Sequence, residues 1–169
     1  MSAVEVDVVR VFTDEHGGSG NPLGIVDAAR AAGREQELAT TLGFSETVVI
    51  DAIADGVATV RIFTPARELP FAGHPTVGTA GGLAATGRPV SALRVPAGEV
   101  AARTEGPDTA WVVARPEWAP EFDWQQLADP AEVDARDPAA VTEGQRYAWA
   151  WIDEAAGRLR SRMFAPAMG

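Results

Sequence analysis

The chain has no cysteine and no lysine; its 14 Lys-plus-Arg residues are all arginine. Without cysteine there are no disulfides, no thiolate metal sites, no cysteine nucleophile and no thiol pair to pass a proton. Without lysine there is no Schiff base and no phosphate-loop lysine. The missing lysine and the many alanines fit a coding bias better than a chemical demand. Long apolar runs are also missing, and nothing approaches the roughly 20 residues that a membrane helix needs. Met1 to Asp7 lacks the basic and apolar stretches of a signal peptide, so the cytoplasm is the expected compartment and a membrane is not an expected partner. Positive charge is scarce: 24 acids against 14 bases leave a net charge of −10. With no basic stripe, nucleic acid is not an expected partner, and the acidity serves solubility. The two histidines, His16 and His74, have no spacing that suits a metal, so no metal is expected.

What remains is an ordinary globular composition. Of 169 residues, 46% are hydrophobic and 22% charged, enough to build a core without staples. Val4 to Thr13 alternates and is rich in valine, which predicts a strand. Asp14 to Pro22 reads as a loop, followed by a short strand at Leu23 to Val26. Arg34 to Leu42 predicts a helix, stopped by Gly43, with Phe44 folding back on it. Glu46 to Ile53 and Val57 to Thr64 predict a hairpin around Asp55-Gly56. Residues 65–76 form a rigid loop, and a buried central helix spans about 75–86, opened by Pro75. Gly78, Gly81 and Gly82 weaken an isolated helix by about 1 kcal/mol each, a cost that close approach of neighbouring strands explains. Three short strands follow at Val90–Val95, Gly98–Thr104 and Thr109–Arg115, with a turn at Glu105-Gly106-Pro107-Asp108. The expected organisation is an α+β unit over 1–115, a proline- and acid-rich linker or excursion over 116–144, and a hairpin over 145–169. On the strand at 145–152, Tyr147, Trp149 and Trp151 share a face that is expected to be core.

Arg61-Ile62-Phe63-Thr64-Pro65 and Arg162-Met163-Phe164-Ala165-Pro166 lie 101 residues apart. Each closes a hairpin, which favours duplication over chance. The second copy is then expected to stop before its counterpart of the loop at Gly73 and the central helix.

Three segments are candidates for chemistry. Glu46, in Ser45-Glu46-Thr47, is either a partly desolvated acid/base or a solvated glutamate beside a cap, and composition alone favours the latter. Gly73-His74-Pro75-Thr76 offers helix-start amides for an anion and a histidine for proton relay, or else a plain rigid loop. In Gly20-Asn21-Pro22, Asn21 is either a polar substrate contact or turn chemistry, more often the latter.

These segments carry a family resemblance. G-N-P-L-G-I-V (20–26), L-G-F-S-E-T-V-V-I (42–50) and above all R-I-F-T-P-A-R-E-L-P-F-A-G-H-P-T-V-G-T-A (61–80) resemble the PhzF-type phenazine-biosynthesis-like isomerases. R-S-R-M-F-A-P-A-M-G (160–169) resembles the family's second half, and 116–145 matches weakly. The resemblance implies the diaminopimelate epimerase-like fold: curved antiparallel sheets or barrels, each around a central helix, with the active site between two lobes. It implies Glu46 as the acid/base, with His74 and the Gly73 backbone on the substrate. Pro75, Thr76, Asn21 and Ser45 join them as substrate-binding candidates. It implies a proton moved between carbons of a small, cyclic carboxylate with no cofactor and no metal, and a homodimer as the assembly. The absence of cysteine suits this branch rather than the racemases that use thiol pairs. A D-P-A-T-G-S-like loop is usual after A-P-x-x-G in the family and does not follow Gly169. A piece of an enzyme, or a binding lobe that needs a second lobe or chain, is therefore the alternative expectation.

Overall fold

The computed structural model describes residues 4–13, 16–106 and 108–168. Met1 to Ala3, Asp14 and Glu15 of the expected loop, Pro107 of the expected turn, and Gly169 lie outside the described residues. The chain divides into two units, Met1–Ala119 and Pro120–Gly169.

The first unit is one sheet wrapped around one helix. Its elements are β1 (Asp7–Thr13), β2 (Ser19–Asp27), α1 (Ala28–Ala31), α2 (Glu35–Leu42), β3 (Glu46–Ala54) and β4 (Val57–Phe63), then β5 (Glu68–Leu69), α3 (Gly73–Ala85), β6 (Ala92–Val95), β7 (Gly98–Glu105) and β8 (Thr109–Val113). The strand order is β1-β2-β3-β4-β6-β7-β8, with the short β5 also paired to β4. Most joins are antiparallel, but β2–β3 and β4–β6 are parallel. Each parallel join needs a crossover. The α1–α2 segment makes the first and α3 the second. Helix α3 touches β1 at one end of the sheet and β8 at the other, so the sheet curls around it into a half-barrel.

Alternation along the strands separates two cores. Val9 and Val11 of β1, with Leu23 and Ile25 of β2, point at α3. Val26, Val49 and Phe63 point the other way, onto Ala31 and Ala39 of α1 and α2. Residues Thr47–Ile50 of β3 are all buried, as a strand covered on both faces requires. The β3–β4 turn is Asp55-Gly56, with φ of 53° and 74°, the doubly left-handed form that matches strand twist.

The glycines of α3 have the expected use. A Cβ on Gly78 would lie 2.5 Å from Val11 Cγ2 and 2.7 Å from Leu23 Cδ2. On Gly82 it would lie 3.1 Å from Ile25 Cδ1. At Gly81 the nearest atom, Ala110 Cβ, is 3.5 Å away, an ordinary contact.

Several expectations need correction. The helix begins at Gly73 and ends at Ala85, so Gly73 and His74 belong to its first turn rather than to the preceding loop. Gly20-Asn21-Pro22 is not loop but part of β2, because Asn21 pairs with Val11 and Pro22 with Arg10. The first unit continues to Ala119 because Trp118 packs on Gly98 and meets the Phe71 ring at 5.5 Å. The stretch 116–144 is not a plain linker. It contains β9 (Asp123–Gln126) and α4 (Pro130–Asp134), whose N-cap Asp129 accepts a bond from the Glu132 amide.

In the second unit, β9 runs parallel to β10 (Arg146–Asp153), which pairs antiparallel with β11 (Arg158–Phe164). Its core lies on the face opposite to the one expected. Ala148 and Ala150 are buried with Val133 of α4, while Tyr147, Trp149 and Trp151 are half-buried. Small alanines let α4 approach. The rings instead pack together, Trp124 stacking on Tyr147 at 4.9 Å and Trp149 meeting Trp151 edge-on at 5.3 Å.

The two helix glycines separate packing from propensity. Gly78→Ala is expected to lower stability in urea unfolding by about 1–3 kcal/mol through overpacking. Gly81→Ala is expected to be neutral or to stabilise by up to about 1 kcal/mol. Equal effects would contradict the close approach at Gly78.

Candidate active site

Glu46 and His74 meet although 28 residues separate them. The His74 Nδ1 to Glu46 Oε2 distance is 2.8 Å, and the side chains are 12% and 14% exposed. Local chemistry places each one. Helix α2 ends on Gly43 in the left-handed conformation, φ 65°. Leu42 and Phe44 then close on Gly24 of β2, where a Cβ would lie 3.3 Å from the Phe44 ring. The chain enters β3 at Glu46, in parallel register with Leu23. Leu23 faces α3, and so does Glu46.

His74 arrives from the other direction. Thr64 caps a tight turn, its hydroxyl accepting from the amides of Ala66 and Arg67. Helix α2 clamps this turn: Gln36 Nε2 donates to the carbonyls of Thr64 and Pro65 at 2.9 and 3.1 Å, and the Thr40 hydroxyl lies 2.7 Å from the Pro65 carbonyl. Leu69 then pairs with Ile62, and the Pro70 carbonyl accepts from Ala97. The segment entering α3 is therefore tied at both ends.

The first turn of α3 has no side-chain cap. Its early amides point out of the helix and favour an anion. A Cβ added to Gly73 would meet nothing within 4 Å, so the backbone there is open to a ligand. Among the described residues, buried His74 Nε2 has no hydrogen-bond partner. With Nδ1–H donating to the Glu46 carboxylate, a neutral ring presents an unused lone pair at Nε2, and a protonated ring an unused N–H.

The other candidates are placed as follows. Pro75 and Thr76 are buried in the first turn, and the Thr76 hydroxyl donates back to the Ala72 carbonyl at 2.7 Å, so its side chain is engaged in the helix. Ser45 is an exposed bend before β3. Asn21 is exposed on β2, two residues before Leu23 and on the same face. Ile25 sits at Gly82 and Leu23 at Gly78, so Asn21 falls at the next helical turn, level with His74. His16 is exposed in a turn. Among the described residues no group of three or more His, Cys, Asp or Glu is arranged to hold a metal ion. No described helix is long and apolar enough to cross a membrane.

Sequence reasoning missed the α2 clamp. Its signal was available: Gln36 and Thr40 are polar residues spaced i, i+4 on the helix that precedes Glu46. A second tie acts nearby. Arg61 of β4 bonds Asp51 through two nitrogens and Glu35 at 3.1 Å, with its guanidinium 5.5 Å from the Phe63 ring centre. The backbone amide of Glu35 at the start of α2, together with Arg61, holds the Glu35 carboxyl below its usual range.

The first unit is thus a curled sheet around a glycine-rich helix, with a carboxylate–imidazole pair at the helix start. The family model for phenazine biosynthesis-like proteins matches residues 9–151, and the chain belongs to that family. It is 40% identical over 118 residues to the trans-2,3-dihydro-3-hydroxyanthranilate isomerase of Pseudomonas aeruginosa, a match covering 68% of this chain and 42% of that enzyme. An uncharacterised isomerase of Mesorhizobium japonicum is 34% identical over 139 residues, 78% of this chain and 43% of that one. The chain thus spans less than half the length of these curated relatives. Among solved structures, a PhzF-family phenazine biosynthesis protein from Bacillus anthracis superposes with a TM-score of 0.72 at 19% identity, covering 99% of this chain and 73% of that one. This likeness shows that the chain has the PhzF-like α+β fold.

The clamp beside the site makes a pH-dependent prediction. At pH 7, Glu35→Gln should cost about 0.5–1 kcal/mol in urea unfolding. A carboxyl with a lowered folded-state pKa stabilises fully above its unfolded value and loses that contribution as pH falls through the folded value. Wild type and variant should therefore converge below about pH 4. A gap that persists unchanged at pH 3 would contradict this reading.

Proposed function

We propose that this protein is a cofactor-independent isomerase that moves a proton between carbons of a small, cyclic carboxylate, with Glu46 as the acid/base. The observation that carries this reading is the shielded Glu46–His74 pair at the open start of α3. The Glu46 carboxylate takes a proton from a C–H beside an unsaturated bond. The electron pair shifts along the conjugated system, and Glu46 returns the proton to another carbon. No atom is gained or lost. The shielded setting favours this step, because water no longer competes for the developing charge. His74 Nδ1–H donates to Glu46 and orients it. Nε2 is left to accept from a substrate hydroxyl or amine, or, in a protonated ring, to donate to the substrate carboxylate. The Gly73 backbone holds that carboxylate together with the His74 amide, where Pro75 and Thr76 fix the helix start. Asn21 and Ser45 supply polar contacts. The related Pseudomonas enzyme is named an isomerase of trans-2,3-dihydro-3-hydroxyanthranilate, which supports the reading.

A second reading is that activity needs another polypeptide, including a second copy of this chain. Its support is the apolar surface of the second unit, where Trp124 is 63% exposed and Leu159 47%. Sedimentation over a range of concentrations tests it; a monomer with constant specific activity would exclude it.

The isomerase reading is tested by deuterium incorporation from heavy water into trans-2,3-dihydro-3-hydroxyanthranilate. Glu46→Gln should reduce incorporation by about 10²–10⁴-fold. His74→Asn, which keeps a donor but cannot be protonated, should lose less. Equal incorporation by wild type and Glu46→Gln would remove Glu46 from the role.

A further inference from the structure

Phe12 has an unusual backbone for its size. Its φ is +62°. A bulky residue there is strained, at a cost that surrounding structure must impose. The other described non-glycine residues with positive φ have local reasons: Ala32 ends α1, and Asp55 opens the Asp55-Gly56 turn. Phe12 has none of that kind. It lies within β1, and its neighbours Val11 and Thr13 keep regular pairing with Asn21 and Ser19.

The distortion is built from both strands. Opposite Phe12 stands Gly20, at φ +64°, where a Cβ would lie 2.8 Å from Thr13 Cγ2 and 3.2 Å from the Val11 carbonyl oxygen. Gly20 therefore permits the irregularity that Phe12 occupies. The result is a redirected ring. Alternation assigns Val9 and Val11 to α3 and Phe12 to the opposite face. Yet its ring centre lies 6.0 Å from that of His74 on α3, with the planes inclined by 41°. The strain is not repaid by burial, since Phe12 is 70% exposed.

We propose that Phe12 is a ring-binding residue. Its aromatic face forms a wall beside the Glu46–His74 pair and packs on the unsaturated ring of the substrate. This rests on the isomerase reading for the location of the site and adds the element that selects a flat, unsaturated ring over a saturated one. An aromatic face prefers an offset or edge-on π partner, whereas a saturated ring gains only area.

The test uses the full chain and two carboxylate probes, 3-hydroxyanthranilate and cyclohexanecarboxylate, with calorimetric binding and thermal unfolding. Phe12→Leu should weaken the aromatic probe about tenfold and the saturated probe less than twofold. Phe12→Tyr should bind like wild type. Phe12→Gly should weaken the aromatic probe at least as much as Phe12→Leu while unfolding no lower than wild type, because glycine adopts this φ without strain. Equal losses for both probes, a Phe12→Gly protein that melts lower, or no binding of 3-hydroxyanthranilate to wild type would overturn the proposal. None of these outcomes bears on proton transfer by Glu46, which deuterium incorporation reads separately.

Discussion

The structure depends on how closely α3 approaches β1 and β2. At Gly78 the neighbouring valine and leucine occupy the space that any Cβ would need, and at Gly82 the clearance is little better. This closeness sets a ladder in which each helical turn of α3 is matched by two residues of strand. Ile25 stands at Gly82 and Leu23 at Gly78, and the next turn up brings His74. Glu46 is the parallel partner of Leu23, so its backbone stands at the Gly78 level, one helical turn from His74, and its side chain spans that step. The 2.8 Å contact between His74 and Glu46 is thus a consequence of packing two turns away. A hydrogen bond weakens steeply with distance and angle. A side chain that lifted α3 by one ångström would separate the pair without touching either residue.

Helix α2 supplies the second constraint, and it acts on both halves of the site. Its C-terminal glycine cap sends the chain into Glu46, and its polar face holds the Thr64–Arg67 turn that leads toward His74. Arg61 fixes the helix start by joining Glu35 to Asp51 across the hairpin. These bonds are partly exposed, and each contributes little alone. Their value lies in geometry: one short helix locates the approach to both Glu46 and His74, so the two cannot drift independently.

Much of this was legible in the sequence. β-Branched alternation gave β1, β3 and β4, Asp55-Gly56 gave the hairpin, and the glycines within an apolar helix gave close strand contact. The candidate residues Glu46 and His74 were also legible, as separate segments. Their contact was not, because it depends on register between strands that no local pattern encodes. The first half of β2 was masked by Gly20, Asn21 and Pro22, residues typical of turns, and antiparallel pairing with β1 overrode that preference. The tryptophan face of β10 was misread for a related reason. Hydrophobicity favoured burying the large rings, but α4 needed a shallow surface, and the alanines offered one. The parallel joins were invisible for want of any sequence signal distinguishing them from antiparallel ones.

The second unit resembles part of the first in element order but not in its polar partners. Both units place a strand, a helical crossover, a parallel strand and a hairpin in that order. Arg162 stacks over Phe164 at 5.1 Å, much as Arg61 stacks over Phe63. The polar partners differ. Arg61 meets two carboxylates, whereas Arg162 donates to the backbone carbonyls of Asp134 and Arg136 at the end of α4. Register carries the comparison further. Thr47 pairs with Phe63 and Arg146 with Phe164, so Gln145 stands where Glu46 stands in the first unit. A glutamine amide cannot take a proton from carbon at neutral pH. A sheet and its helix require only pattern and size. Proton transfer requires a titratable group, and at this position the first unit has one and the second does not.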